Sequence, residues 1–351
     1  MTKLLILDGI SGVPLGKEFC DAFKQLGITS EYADLRKFEP QAFYNLKAAF
    51  RKAMNKRENA DSFYHLPKLN EAKFASYIQQ QAPTTILVIG FVYKYISPQF
   101  LQKLCKNNQI QLFLYDTDSC NLYAKRREFV FFLDKELPIY DEIFSFSKVT
   151  TRFFKETKNL NASFLPFGAN NIASKSLNNQ LLDVLFIGSC DLRRIFLLEH
   201  IKDKVTIFGD RWHRNTPLIS EKLGLKIKDQ SIWGEALHSQ LFSAKIVLNI
   251  TRSHFYGAET GINLRIFEAL AAGCFLLTDY CEELEELFVI GEEIEVFRSA
   301  SELAEKVDFY LNNPEIRLAI AKRGHEQFLN KHLWIKRAET LSVEMQPEKK
   351  S

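Results

Sequence analysis

Short apolar runs alternate with longer amphipathic stretches along most of the chain. In the first half, residues 3–7, 29–33, 85–90, 111–115, 142–146 and 163–166 read as strands. Several are apolar at nearly every position, as parallel strands covered on both faces must be. Between the first two, residues 14–26 place Phe19, Ala22, Phe23 and Leu26 at the three-and-four spacing of a helix with one buried face. A second helix is predicted over 41–57, carrying Lys47, Arg51, Lys52, Lys56 and Arg57. Its basic side reads either as a solvated face or as an acceptor-binding patch.

The alternation pauses over 168–181, where Gly168-Ala169-Asn170-Asn171 and Ser174-Lys175-Ser176 give the composition of a linker. It restarts with predicted strands at 183–187, 205–208, 245–250, 274–278 and 295–297 and helices at 301–311 and 315–330. Two such α/β stretches of similar size predict two doubly wound domains. The expected boundaries are 1–172, 173–330 and a final segment, 331–351, that crosses back to the first domain and ends in a frayed tail.

Composition narrows the picture. The chain has 351 residues, with 46 Lys and Arg against 43 Asp and Glu, a net charge of +3. So small a charge argues against a nucleic-acid coat. The hydrophobic share of 46% is that of a globular protein. The longest apolar run, 269–277, falls well short of the roughly 20 residues of a membrane span. The start is too briefly apolar for a secretory signal. Six scattered cysteines with no CxxC pair read as reduced, buried thiols in the cytoplasm. The 30 phenylalanines read as core filling.

Chemistry concentrates in 249–273, which predicts strand, long loop and helix. Asn263 stands where an N-cap belongs and Gly273 where the helix must stop. Leu264, Phe267, Leu270 and Ala271 are the expected buried stripe. Arg265 and Glu268, three apart, share another face. A helix N-terminus offers free N–H groups and partial positive charge. With Gly261 allowing close backbone approach and Arg265 adding charge, the tip suits a diphosphate, and Glu268 could accept bonds from sugar hydroxyls. A surface Arg265–Glu268 pair is the plainer alternative, but a buried Glu beside Ala269-Leu270-Ala271-Ala272 needs a polar partner.

The run from Asn263 to Gly273, with Leu276-Leu277-Thr278-Asp279 after it, resembles the donor-site helix of GT-B glycosyltransferases. It is most similar to the spore-maturation (CgeB-like) group. The resemblance covers roughly residues 183–340. It implies two Rossmann-like domains facing each other across a cleft, a nucleotide-sugar donor on the second, an acceptor on the first, and no metal or other cofactor. It places Glu268 on the donor ribose, the turn of Gly261, Ile262, Asn263 and Arg265 on the phosphates, and Trp233 with Gly234 near the base. Gly188 and one of Arg193 or Arg194 follow the domain's first strand as further donor contacts, and Arg252 lies in the donor loop. One departure stands out. Many retaining relatives carry Glu-x7-Glu, and the first position here is Thr260, with Glu259 beside it. Retention or inversion therefore stays open.

In the first domain, Asp8 follows the first strand at the end where α/β ligands bind. It is a candidate base for an acceptor hydroxyl, or else a cap for the next helix. Asp116 and Asp118 spell Asp-x-Asp, a metal motif in another fold type. They are read instead as acceptor-side residues, with Asp116 the second candidate base, or as turn formers. His213 and His254 read as surface residues. The resulting expectation is a cytoplasmic glycosyltransferase acting on a glycan, lipid-linked glycan, protein or small molecule, with room for peripheral contact at the inner face of a membrane. A nucleotide-sugar 2-epimerase and a non-catalytic nucleotide-sugar-binding module are the alternatives.

Overall fold

A computed structural model describes residues 3–10, 13, 15–57, 64–117, 119, 125–172 and 180–345. Among them the side chains of 55–57 are not described. The expected linker's centre, the C-terminal tail, Pro14 and Asp118 lie outside the described residues. The chain divides into two compact units, Met1–Pro166 with Trp334–Ser351, and Phe167–Leu333.

The first unit holds a six-stranded sheet of β1 (Lys3–Asp8), β2 (Thr29–Asp34), β3 (Thr85–Ile89), β4 (Gln111–Asp116), β5 (Glu142–Ser145) and β6 (Ala162–Phe164). The order is β2-β1-β3-β4-β5-β6 and every pairing is parallel. β3 is buried at all its positions, which explains its unbroken apolar sequence. Strand β1 pairs with β2 on one side, at Leu7↔Ala33, and with β3 on the other, at Leu7↔Val88. The chain thus reverses its direction of winding between β1 and β3. The helix Leu15–Gln25 buries Phe19, Ala22 and Phe23, as their spacing requires. The last helix, Trp334–Glu344, packs against it. Trp334 donates to Glu18 at 2.7 Å and sets its ring 4.5 Å from that of Phe19.

The second unit repeats the plan with β7 (Leu182–Ile187), β8 (Val205–Phe208), β9 (Ile227–Lys228), β10 (Ala244–Asn249), β11 (Leu276–Asp279) and β12 (Glu295–Phe297). Its order is β12-β11-β10-β7-β8-β9, again all parallel. Winding reverses between β7 and β10, which pair at Ile246↔Val184. In such sheets the loops at a reversal diverge and leave a crevice at the carboxyl ends of the two strands, where ligands bind. Each unit has its own apolar core.

Strand positions agree with the apolar runs to within a residue or two. Strand β9 was not expected: two residues with an exposed lysine at the sheet edge carry no periodic signal.

Candidate functional site

The reversal in the second unit is where its charged residues meet. After β7 comes Gly188, whose carbonyl accepts from the Trp212 indole at 3.0 Å. Asp191 then caps the helix Leu192–Glu199 and accepts from the Ser253 hydroxyl at 2.6 Å. Arg194 is buried and donates to the carbonyls of Ile250, at 2.9 and 2.6 Å, and Ser189, at 2.8 Å. Burial, and then the charge of Arg252, push its pKa down to about 10. Arg252 donates to the Ser189 hydroxyl at 2.9 Å. Arg193 donates to Asp279 at 2.6 Å and to the Thr251 carbonyl at 2.9 Å, with its guanidinium 3.6 Å from the Tyr256 ring centre. Asp279, at the end of β11, also accepts from the Thr251 N–H and hydroxyl, both at 2.9 Å. The loops after β7, β10 and β11 are thereby tied into one cationic platform.

The sequence allowed at most one of the adjacent arginines to meet a ligand, and the geometry separates them. Arg194 is spent on carbonyls, whereas the Arg193 side chain keeps 20% of its surface open. A depression of about 450 Å³ beside it is lined by Arg193, Phe196, Ser253, Tyr256, Arg298 and Ser299. It includes neither Arg265 nor Glu268, so it is not the diphosphate site expected from the sequence.

The helix Leu264–Ala271 starts as its sequence predicts. The Asn263 side chain accepts the Arg265 N–H at 3.0 Å, and Gly273, at φ +70°, ends it. Its burial is wider than expected. Ile266 and Ala269 join Phe267, Leu270 and Ala271 in the interior, while Leu264 stays half-buried. Ile262 is buried too, so only its backbone can face a ligand. At Gly261 a Cβ would stand 2.8 Å from the Cys281 sulfur and 3.3 Å from the Thr251 hydroxyl, so its small size lets the loop close onto the end of β11.

Arg265 and Glu268 form a poorly satisfied pair. Arg265 Nη1 lies 2.6 Å from Glu268 Oε2, a charge contact whose angles do not make a hydrogen bond. Arg265 Nε and Nη1 and Glu268 Oε2 are all shut off from water with no hydrogen-bond partner. Burial raises the Glu268 pKa, and Arg265 opposes the rise. Buried polar atoms are nearly always paired in a folded protein, so such a pair marks a place where a polar ligand belongs. Trp233 stands close, 41% exposed, with its ring centre 5.8 Å from the Arg265 guanidinium. Thr260, where relatives with the paired-glutamate motif have the first acid, is buried and donates to Glu283 at 2.7 Å. Glu259 is exposed at φ +57°. His213 is held by Asp229 at 2.5 Å and His254 is exposed.

In the first unit Asp8 ends β1 at the reversal. It accepts from the Ile10 N–H at 2.8 Å and the Tyr32 hydroxyl at 2.9 Å. Burial pushes its pKa up to about 6. Asp116 is more enclosed. It accepts from the Ser119 N–H at 3.1 Å, the Ser119 hydroxyl and the Ser145 hydroxyl at 2.9 Å, with no exposed surface. Its described contacts fasten the loop after β4 to the end of β5. A third buried acid escaped the sequence reading. Glu136 accepts from the N–H groups of Val92 and Tyr93, both at 2.7 Å, and burial raises its pKa to about 7. It lies among Phe131, Phe132, Leu133 and Leu137, where nothing distinguishes it from a surface charge. Among the described residues no group of three or more His, Cys, Asp or Glu is placed to hold a metal ion.

Comparison with known proteins bears on the same unit. Residues 193–342 match the glycosyl transferase-like family model. No curated protein matches the chain. Solved structures match over almost its whole length. A glycosyltransferase from Rickettsia africae aligns at TM-score 0.63 and 12% identity, covering 100% of both chains. A sucrose-phosphate synthase from Thermosynechococcus elongatus aligns at 0.65 and 12%, covering 97% of this chain and 98% of that one. The Anabaena protein HepE in complex with UDP-glucose aligns at 0.61 and 15%, covering 97% and 99%. The two parallel six-stranded sheets are those of the GT-B fold, and it is the unit holding Arg265 and Glu268 that carries the glycosyl transferase-like match.

Proposed function

We propose that the protein is a glycosyltransferase that moves a sugar from a nucleotide-sugar donor to an acceptor hydroxyl. The observation that carries this reading is the buried, unsatisfied Arg265–Glu268 pair at the tip of the Leu264–Ala271 helix. A donor supplies what both lack. Its diphosphate accepts hydrogen bonds from Arg265 and from the helix N-terminus, and its ribose hydroxyls donate to Glu268. Trp233 offers a flat apolar face for the base. Arg193, Arg252 and the Gly188 turn complete the positive surroundings.

In the reaction the acceptor oxygen bonds to the sugar's anomeric carbon while that carbon's bond to the diphosphate oxygen breaks. The nucleoside diphosphate leaves with the electron pair, and the acceptor's proton passes to a base. Arg265 and the helix tip stabilise the negative charge that grows on the leaving group. No metal is assigned to that task. The acceptor is assigned to the first unit, and Asp8 is preferred to Asp116 as base because it is the less enclosed by donors; its pKa is raised to about 6, towards neutrality. The motif from Asn263 to Asp279 supports placing the chain with the spore-maturation group.

The test is transfer and hydrolysis assayed across nucleotide sugars, starting with UDP-sugars because HepE was crystallised with UDP-glucose. Release of UDP that depends on a sugar acceptor is expected. Conversion of the nucleotide sugar to its epimer without acceptor would replace this reading with the epimerase. Tight binding with no turnover would replace it with a binding module.

A further inference from the structure

The helix Tyr44–Arg57 is built the wrong way round for a helix that serves the core. None of its described residues, 44–54, is buried. At 100° per residue, Leu46, Ala49, Phe50, Ala53 and Met54 share an arc about 140° wide. The side that touches the protein is another one, marked by half-buried Tyr44, Ala48 and Arg51. The apolar arc therefore faces outward. Leu46 is 73% exposed and Phe50 68%, and Phe43, just ahead of the helix, is 79% exposed. Phe43 also adopts φ +57°, a conformation that side chains with a Cβ seldom take, and no burial of its ring rewards it. A shallow depression lined by Phe43, Tyr44, Leu46 and Lys68 extends the apolar surface.

Charge on this helix is as one-sided as its burial. Lys47, Arg51, Lys52, Lys56 and Arg57 lie in its sequence, and no Asp or Glu occurs from Pro40 to Arg57. That is more positive charge than the +3 of the whole chain. By position, Lys47 flanks one edge of the apolar arc and Lys52 the other, Arg57 falls on the arc at the helix's last residue, and Arg51, on the protein side, sets its guanidinium 4.4 Å from the Tyr64 ring centre. Bulky apolar residues edged by cations fit a surface that is apolar just below a plane of negative charge.

We infer that this helix is an interfacial anchor that seats the protein on an anionic lipid bilayer, with Phe43, Leu46 and Phe50 below the headgroups and the flanking cations among them. Beside Phe43 and Phe50, the rest of the face is aliphatic (Leu46, Ala49, Ala53 and Met54) and offers no flat surface for a nucleic-acid base, which favours lipid over RNA or DNA. Each cation near such a surface contributes about fivefold to partitioning. This inference does not depend on the sugar-transfer reading.

The full-length protein is mixed with phosphatidylcholine vesicles, with or without 30% phosphatidylglycerol (on the order of a physiological anionic content), and floated on a density gradient. Wild type is expected to float with the anionic vesicles and to stay behind with the neutral ones, and salt should weaken the binding. Leu46→Glu with Phe50→Glu should reduce binding at least tenfold, as should Lys47→Glu with Lys52→Glu. Circular dichroism should be unchanged, since none of these side chains is buried. With Phe50→Trp, brominated lipids in anionic vesicles should quench the emission. Wild type that ignores anionic vesicles overturns the inference, as does a Leu46→Glu, Phe50→Glu protein that floats equally well. So does light scattering showing a dimer that these substitutions dissolve, or binding to RNA in place of vesicles.

Discussion

The two units share a topology and differ in how they treat charge. Each is a six-stranded parallel sheet whose winding reverses once, between β1 and β3 in the first and between β7 and β10 in the second. At the first reversal sits a carboxylate, Asp8, closed by Tyr32 and the Ile10 N–H. At the second sit Arg193, Arg194 and Arg252, with Asp279 tying their loops together. The fold supplies a crevice in both places. The residues after the strands decide that one gathers arginines and the other holds an acid whose pKa is raised to about 6.

Breaking the second reversal should have the largest effect. Asp279→Ala removes the acceptor for Thr251 and leaves the Arg193 charge without its carboxylate. A loss of about 3–5 kcal/mol in the stability of the second unit is expected in denaturant unfolding. A loss below about 1 kcal/mol would mean the arginines do not depend on that hub.

The first reversal should respond to pH in the opposite sense from an ordinary ion pair. The Asp8 pKa is about 6 in the folded protein against 3.8 ordinarily. Because the folded value is the higher, the favourable contribution of Asp8 is complete below about pH 4 and is lost as pH rises through 6. Asp8→Asn does not titrate. Its stability relative to wild type should rise between pH 4 and pH 7 by up to about 3 kcal/mol, read from urea midpoints at each pH. A flat difference would place the carboxylate in water. Loss of transfer activity in the same variant, with donor affinity kept, would favour Asp8 as the base.

A smaller change sharpens the second site alone. Asn263→Ala should cost about 1 kcal/mol of stability through the lost cap, and Asn263→Ser should restore most of it.

Much of this was legible in the sequence because it rests on local rules. Apolar runs marked the strands to within a residue or two. Asn263 and Gly273 bounded the helix by their own chemistry, and the resemblance singled out Arg265 with Glu268. What escaped depends on contacts between distant segments. That Gly261 packs against Cys281, twenty residues on, has no local signal. Asp116 reads as an acceptor-side residue or a turn former, and its bond from Ser145 on the next strand is not visible in the local sequence. Glu136 stood out by no motif, because two of its three donors are backbone N–H groups that any residues at 92 and 93 would supply, and the third is the Tyr140 hydroxyl. The outward face of Tyr44–Arg57 was legible as basic. That its apolar side turns away from the protein is a fact of packing.

The central claim is that Arg265 and Glu268 are completed by a nucleoside diphosphate sugar. Titration calorimetry with UDP, followed by GDP, TDP and ADP, compares wild type with Arg265→Ala and Glu268→Ala. One nucleotide should bind wild type, and each substitution should weaken it at least tenfold while leaving the fold intact. Equal affinity in all three proteins would contradict the account.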